Sequence, residues 1–290
     1  MNPLDLVKLT ALMAVTDGRP EIAVGLVDGP VALDHPDLAS ENVREIPGTL
    51  PCECAQANSA ACMHGTFVAG MLFARRNSQA PAICPNCTLL VRPIFAETTS
   101  GGELLPSATS QELAAAVIDC VDAGARVVNL STAFAQPSIR GERELEEALD
   151  HALHRGVLIV AAAGNQGTLG SSAITRHPWV IPVAACDLQG RPLGYSNLGS
   201  SIGRRGLSAP GDRVTSLATN GTPLASGGTS VAAPFVTGAI ALLWSESPTA
   251  SAADVKLAIT GSSVPRRRTV LPPLLDAWAA YQAMMTIQRR

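Results

Sequence analysis

Short, wholly apolar runs that stop abruptly at small or turn-forming residues are what most narrow the folds open to this chain. The run over 22–27 ends at Asp28, Gly29 and Pro30 and that over 157–162 just before Gly164; a third strand candidate over 126–130, which includes Arg126 and Asn129, ends beside Ser131. Runs of this length without polar alternation read as strands buried on both faces. Between them lie stretches with apolar residues at helical spacing. One covers 64–76, with Val68, Met71 and Leu72 on one face; another covers 111–123, with Leu113, Ala116, Val117 and Cys120; a charged one covers 142–155. Further strands are expected over 88–94, 179–185 and 214–217, and further helices over 3–16, 230–245, 252–260 and 274–287. Strands alternating with helices imply an α/β fold of three layers, a mostly parallel central sheet with helices on both faces. No repeat or low-complexity linker divides the chain, so 1–290 is expected to be a single domain with its core at about 20–260 and a surface connection over 262–273. Such sheets carry their sites at the carboxyl ends of strands, which is where Asp28 and Asn165 fall.

Composition agrees with a large core and removes some functions. The chain has 290 residues, 47% hydrophobic and 16% charged, with aromatics at 3%, so the core must be built from Ala, Val, Leu and Ile. A net charge of -3 gives no polyelectrolyte signature, which argues against nucleic-acid partners. No apolar stretch reaches the ~18 residues of a membrane span; the best, 231–244, is short and contains Pro234. The first apolar stretch, 6–15, is interrupted by Lys8 and preceded by Asp5, unlike a signal peptide, so a cytoplasmic location is expected. Seven cysteines leave at least one thiol without an internal partner. Cys84 and Cys87 have C-x-x-C spacing, whereas Cys52 and Cys54 are too close for a zinc ribbon. Disulfide, metal-bound and free states of Cys52, Cys54, Cys62, Cys84 and Cys87 all stay open.

Four segments place a reactive or polar side chain among small residues: Val27-Asp28-Gly29-Pro30, His64-Gly65-Thr66, Gly164-Asn165-Gln166-Gly167, and Gly228-Thr229-Ser230-Val231-Ala232-Ala233-Pro234. Each alone has a plain structural reading, as a turn, a helix start or a cap. Together they supply what peptide hydrolysis needs: a hydroxyl nucleophile, a base, an acid to orient the base, and a donor for the oxyanion. Ser230 would stand at a helix N-terminus, where backbone N–H groups and the helix dipole favour negative charge. Pro234 is expected near the helix start, where its missing N–H is tolerated.

In their order and wide spacing, these segments resemble the subtilisin family, whose triad runs Asp, His, Ser along the chain. The resemblance covers roughly 20–260. It implies a serine endopeptidase with Asp28, His64 and Ser230 as triad and Asn165 as side-chain oxyanion donor. It further implies a peptide cleft: Ser131, Thr132 and Ala133 as one wall of the specificity pocket, Ala162 to Gly164 as the other, and Gly101 and Gly102 in an edge segment pairing with substrate. The partner is then a peptide or protein substrate, and the chemistry requires no cofactor; no calcium site of the family is carried over. Gly29 stands where the family usually has Ser or Thr, and Phe67 and Phe235 where histidines are common. With Asp28-Gly29-Pro30-Val31, and Cys87 ahead of Pro93-Ile94-Phe95, the chain is most similar to the subtilisin-like proteases of cyanobactin and related ribosomal-peptide maturation. That implies removal of a leader from a precursor peptide. General intracellular proteolysis and a non-catalytic peptide-binding scaffold are the competing readings.

An α/β-hydrolase esterase is disfavoured, because Ser230 lacks a G-x-S-x-G elbow. His151 and His154 do not form H-E-x-x-H, so a zinc protease is disfavoured too.

Overall fold

A computed structural model of the chain describes residues 2–38, 42–97, 108–131, 142–261 and 269–287. Seven strands form one sheet: β1 (Ala23–Asp28), β2 (Val43–Glu45), β3 (Thr88–Pro93), β4 (Val127–Leu130), β5 (Leu158–Ala162), β6 (Val180–Cys186) and β7 (Leu207–Pro210). Their order is β2-β3-β1-β4-β5-β6-β7, and every neighbouring pair is parallel. The expected three-layer α/β architecture is therefore present. The helices are α1 (Pro3–Leu6), α2 (Leu9–Met13), α3 (Ala60–Phe73), α4 (Ser110–Asp122), α5 (Glu142–Arg155), α6 (Ala173–Arg176), α7 (Ser200–Arg205), α8 (Thr229–Glu246), α9 (Ala252–Gly261) and α10 (Ala277–Ile287).

Alternate residues of the buried strands feed two cores. Val24, Leu26, Leu158 and Val160 join α2, α3, α8, α9 and α10 on one face; Val27, Val128, Ile159 and Ala161 join α4 and α5 on the other. Small residues let these layers approach closely, as where a Cβ added to Gly25 would lie 3.0 Å from Cys120 on α4. Every residue of α8 from Thr229 to Ser245 is buried. A helix apolar on all sides belongs in the interior, and α8 is the pillar behind β1, β4, β5, β6 and β7. Phe67 and Phe235 lie in this same core.

Several boundaries differ from the sequence expectation, each for a local reason. The expected N-terminal helix over 3–16 is two short helices, because Lys8 adopts a left-handed φ of 58° between them. α3 begins at Ala60 and not at His64, since the Ser59 hydroxyl accepts from the Cys62 N–H at 3.1 Å and caps it. His64 consequently sits in the second turn. Pro234 is inside α8 and not in its first turn; the backbone acceptor it leaves unpaired four residues earlier is Ser230. The last helix begins at Ala277, because the chain just before it lies along β7, with Ser208 donating to Pro273 and Leu275 donating back. The strand over 214–217 is outside the main sheet: β8 (Val214–Leu217) pairs antiparallel with β9 (Pro223–Ser226). Among the described residues no helix is long and apolar enough to cross a membrane.

Candidate active site

The carboxyl edge of the sheet gathers the four motif residues from four separate elements. Asp28 ends the central strand β1, flanked by β3 and β4. His64 comes from α3, Asn165 from the turn three residues beyond β5, and Ser230 from the first turn of α8.

The Asp28–His64 half is set by backbone contact. A Cβ on Gly29 would lie 2.0 Å from the Ala61 carbonyl oxygen, and one on Gly65 would lie 2.4 Å from the Pro30 carbonyl oxygen. Only paired glycines allow α3 to meet the end of β1 so closely. In this chain a larger residue at position 29, such as the hydroxyl residue usual in the family, would require α3 to move. The helix start is braced further. Glu97 accepts from the Ala55 and Gln56 N–H groups, both at 2.9 Å, and from the Ser59 hydroxyl at 3.0 Å. A disulfide joins Cys54 to Cys62, two residues before His64.

The result is a continuous hydrogen-bonded line. His64 Nδ1 is 2.7 Å from Asp28 Oδ1, and His64 Nε2 is 2.9 Å from Ser230 Oγ. Asp28 Oδ1 also accepts from the Gly29 N–H at 2.7 Å. A carboxylate on one side requires Nδ1 to carry the proton, leaving Nε2 to accept from the serine hydroxyl. Asp28 is fully buried, Ser230 is 8% exposed, and the His64 side chain is 13% exposed. Burial pushes the imidazole pKa down, but the Asp28 charge and hydrogen bond outweigh it and hold the pKa above its ordinary value.

The Asn165–Ser230 half is set by side-chain hydrogen bonds centred on Thr229. Asn165 Oδ1 accepts from the Thr229 N–H at 2.9 Å and from its hydroxyl at 3.0 Å; the same hydroxyl oxygen accepts from the Gly164 N–H at 3.0 Å. With its oxygen occupied, Asn165 directs its NH₂ the opposite way. Gly228 has φ +130°, and a Cβ there would lie 3.1 Å from Asn165 Nδ2 and 3.5 Å from Ser230 Oγ. The amide donor and the hydroxyl therefore border one small space that glycine leaves open. As the second residue of α8, Ser230 has no intrahelical acceptor for its own N–H. A hydroxyl with a base at hydrogen-bond distance, beside two donors suited to a developing oxyanion, can attack a carbonyl and stabilise the adduct.

Of the residues expected to bind substrate, Ser131 follows β4, Ala162 ends β5, and Gly164 lies in the adjoining turn with φ +106°. β4 and β5 are hydrogen-bonded neighbours, so Ser131 and Ala162 stand side by side at the sheet edge. Gly101, Gly102, Thr132 and Ala133 lie outside the described residues. Ser131 is tied to the central helix: Asn129 Nδ2 donates to Ser131 Oγ at 2.7 Å, and Thr237 Oγ1 donates to Asn129 Oδ1 at 2.8 Å.

The sequence reading missed Thr229, Glu97 and the Thr237–Asn129 link. Thr229 was visible as a polar residue beside Ser230, but its hydrogen bonds reach a residue far off in the chain; the other two carried no local signal. Among the described residues, Cys54, Cys62 and Glu97 form a cluster of metal-ligand type. Its sulfurs are bonded to each other, so no thiolate is offered there. Cys52, Cys84, Cys87, Cys120 and Cys186 are free and buried.

Residues 19–274 match the model of the subtilase family, Peptidase_S8. The chain is 30% identical to subtilisin DY of Bacillus licheniformis over 258 residues, covering 87% of each. Longer subtilisin relatives are covered over 62% of their own length. Among solved structures, a mutant of the protease domain of PatA superposes with a TM-score of 0.82 at 30% identity, covering 93% of this chain and 97% of that one. The prenylagaramide maturation protease PagA does so with a TM-score of 0.82 at 28% identity, covering 95% and 98%. With the sheet, the site geometry and these likenesses in agreement, the chain belongs to the subtilase family and is a serine endopeptidase.

Proposed function

We propose that the chain cleaves peptide bonds through an acyl-enzyme on Ser230, with His64 as base, Asp28 as its orienting acid and Asn165 as oxyanion donor. His64 Nε2 takes the Ser230 proton as Oγ attacks the substrate carbonyl. The oxyanion is held by Asn165 Nδ2 and the Ser230 N–H, and the imidazolium then protonates the leaving amine. Asp28 keeps the imidazole in the Nδ1–H form and stabilises its positive charge. Water repeats the sequence to release the acyl product. The observation that carries this reading is the unbroken Asp28–His64–Ser230 hydrogen-bond line.

The substrate class is inferred from the likeness to PatA and PagA, both of which are named maturation proteases. The reading is that this chain cuts a precursor peptide, removing its leader. Ser230→Ala should reduce cleavage of a responsive peptide by more than 10⁴-fold, followed by chromatography of the products; undiminished cleavage would overturn the assignment. Digestion of a diverse peptide library separates a dedicated processing enzyme, which cuts one context, from a general protease, which cuts many.

A further inference from the structure

Beside the candidate site is a cleft of about 450 Å³ that the triad chemistry does not use. Asn165 and Gly228, which border the candidate site, line it together with Ser226, Tyr195, Asp212 and Arg213. Its position relative to the substrate follows from its neighbours. The β8–β9 hairpin, which supplies Ser226, is held to α3 by the Ser216 hydroxyl donating to the Phe67 carbonyl at 2.8 Å. His64 is on α3 and protonates the leaving amine in the proposed reaction, so the cleft is assigned to the leaving-group part.

The inner part of the cleft is rigid. The Tyr195 hydroxyl donates to the Gly211 carbonyl at 2.7 Å, and the same carbonyl accepts from the Gly228 N–H at 2.9 Å. A Cβ on Gly227 would lie 2.9 Å from that carbonyl oxygen and 3.4 Å from the Tyr195 hydroxyl. Arg213 stands apart from this packing. Its backbone adopts a left-handed φ of 47°, a conformation in which a long side chain is uncommon and strained. Its side chain is 88% exposed, and its nearest charged partner, Asp212, is 3.8 Å away, beyond hydrogen-bond distance. Among the described residues no hydrogen bond occupies the guanidinium, so a fixed backbone presents planar, bidentate donors at the cleft rim.

We propose that Arg213 is a specificity residue, selecting substrates with a carboxylate among the first residues after the cleaved bond. The inference rests on the endopeptidase reading above and adds the chemistry of the leaving side. The side chain is exposed, so the effect is modest, about two- to fivefold in kcat/KM.

The test compares peptides identical except for Glu, Gln or Lys at each of the first three positions after the cut. Wild type should favour Glu over Gln by about two- to fivefold at one position. Arg213→Ala should abolish that preference while leaving the rate on the Gln peptide unchanged, and Arg213→Glu should turn it toward Lys. Arg213→Gly, which relieves the backbone strain, keeps the test valid if the other variants fold poorly. Equal rates on Glu and Gln, a preference for Lys directed by Asp212, or a Glu preference surviving in Arg213→Ala or Arg213→Gly would each overturn the proposal while leaving the endopeptidase reading intact. A wild type that cuts no peptide would overturn both.

Discussion

The two halves of the candidate site are built by different means. Asp28 and His64 are brought together by backbone surfaces that touch with no room for a methyl group, reinforced by Glu97 and by the Cys54–Cys62 disulfide. Asn165 and Ser230 are arranged around a threonine hydroxyl and an open space beside Gly228. The first half depends on shape, and its failures should appear as lost stability. The second depends on hydrogen-bond direction, and its failures should appear in turnover while the fold persists.

The sharpest test of that contrast is Asn165→Ala. The change removes the proposed oxyanion donor, together with the acceptor of two hydrogen bonds from Thr229, while no core side chain is lost, so kcat should fall about 10²–10³-fold with KM little changed. A loss confined to KM would mean that Asn165 binds substrate without acting in the transition state. On the other side, Gly29→Ala forces a Cβ against the Ala61 carbonyl oxygen. It should cost about 3 kcal/mol of stability in urea denaturation. An unchanged midpoint would show that α3 can retreat freely, and the contrast would lose its first half.

The pH dependence probes the Asp28–His64 pair directly. Its imidazole pKa is raised above 6.5 in the fold. Stability from this group is thus fully present below pH 6.5 and is lost as pH rises through the folded pKa. Activity runs the opposite way, because the base must be neutral: kcat/KM should rise with pH along a limb centred above 6.5. In Asp28→Asn only the burial effect remains, so the residual activity should have its limb below 6.5. A limb that stays in place would show that the carboxylate does not set the imidazole pKa. The smallest effect concerns Thr229. Thr229→Val removes a hydroxyl donor to Asn165 and an acceptor for Gly164, lowering kcat by about tenfold, whereas Thr229→Ser should stay near wild type. Equal losses in both variants would assign Thr229 to packing.

Most of the sheet and the reactive residues were legible because their signals are local. Wholly apolar runs mark buried parallel strands, and small residues around Asp28, His64, Asn165 and Ser230 mark positions where backbones come close. What escaped the sequence depends on contacts between distant segments. The Cys54–Cys62 bond needs the loop before α3 folded back on its own helix, and Thr229 reads as a cap until Asn165 is placed beside it. The strand over 214–217 was expected, but its partner β9 was missed because Pro223–Ser226 is only partly buried and has no apolar run. Pro234 was placed too early because Thr229 and Gly228 start the helix ahead of the expected residue.

The account centres on Ser230 being a nucleophile activated by His64, and a fluorophosphonate probe read by peptide mass spectrometry addresses that directly. The prediction is a single adduct per chain, located on Ser230, absent from Ser230→Ala and strongly slowed in His64→Ala. A folded wild-type protein that takes no label, or takes it on another residue, would contradict the account.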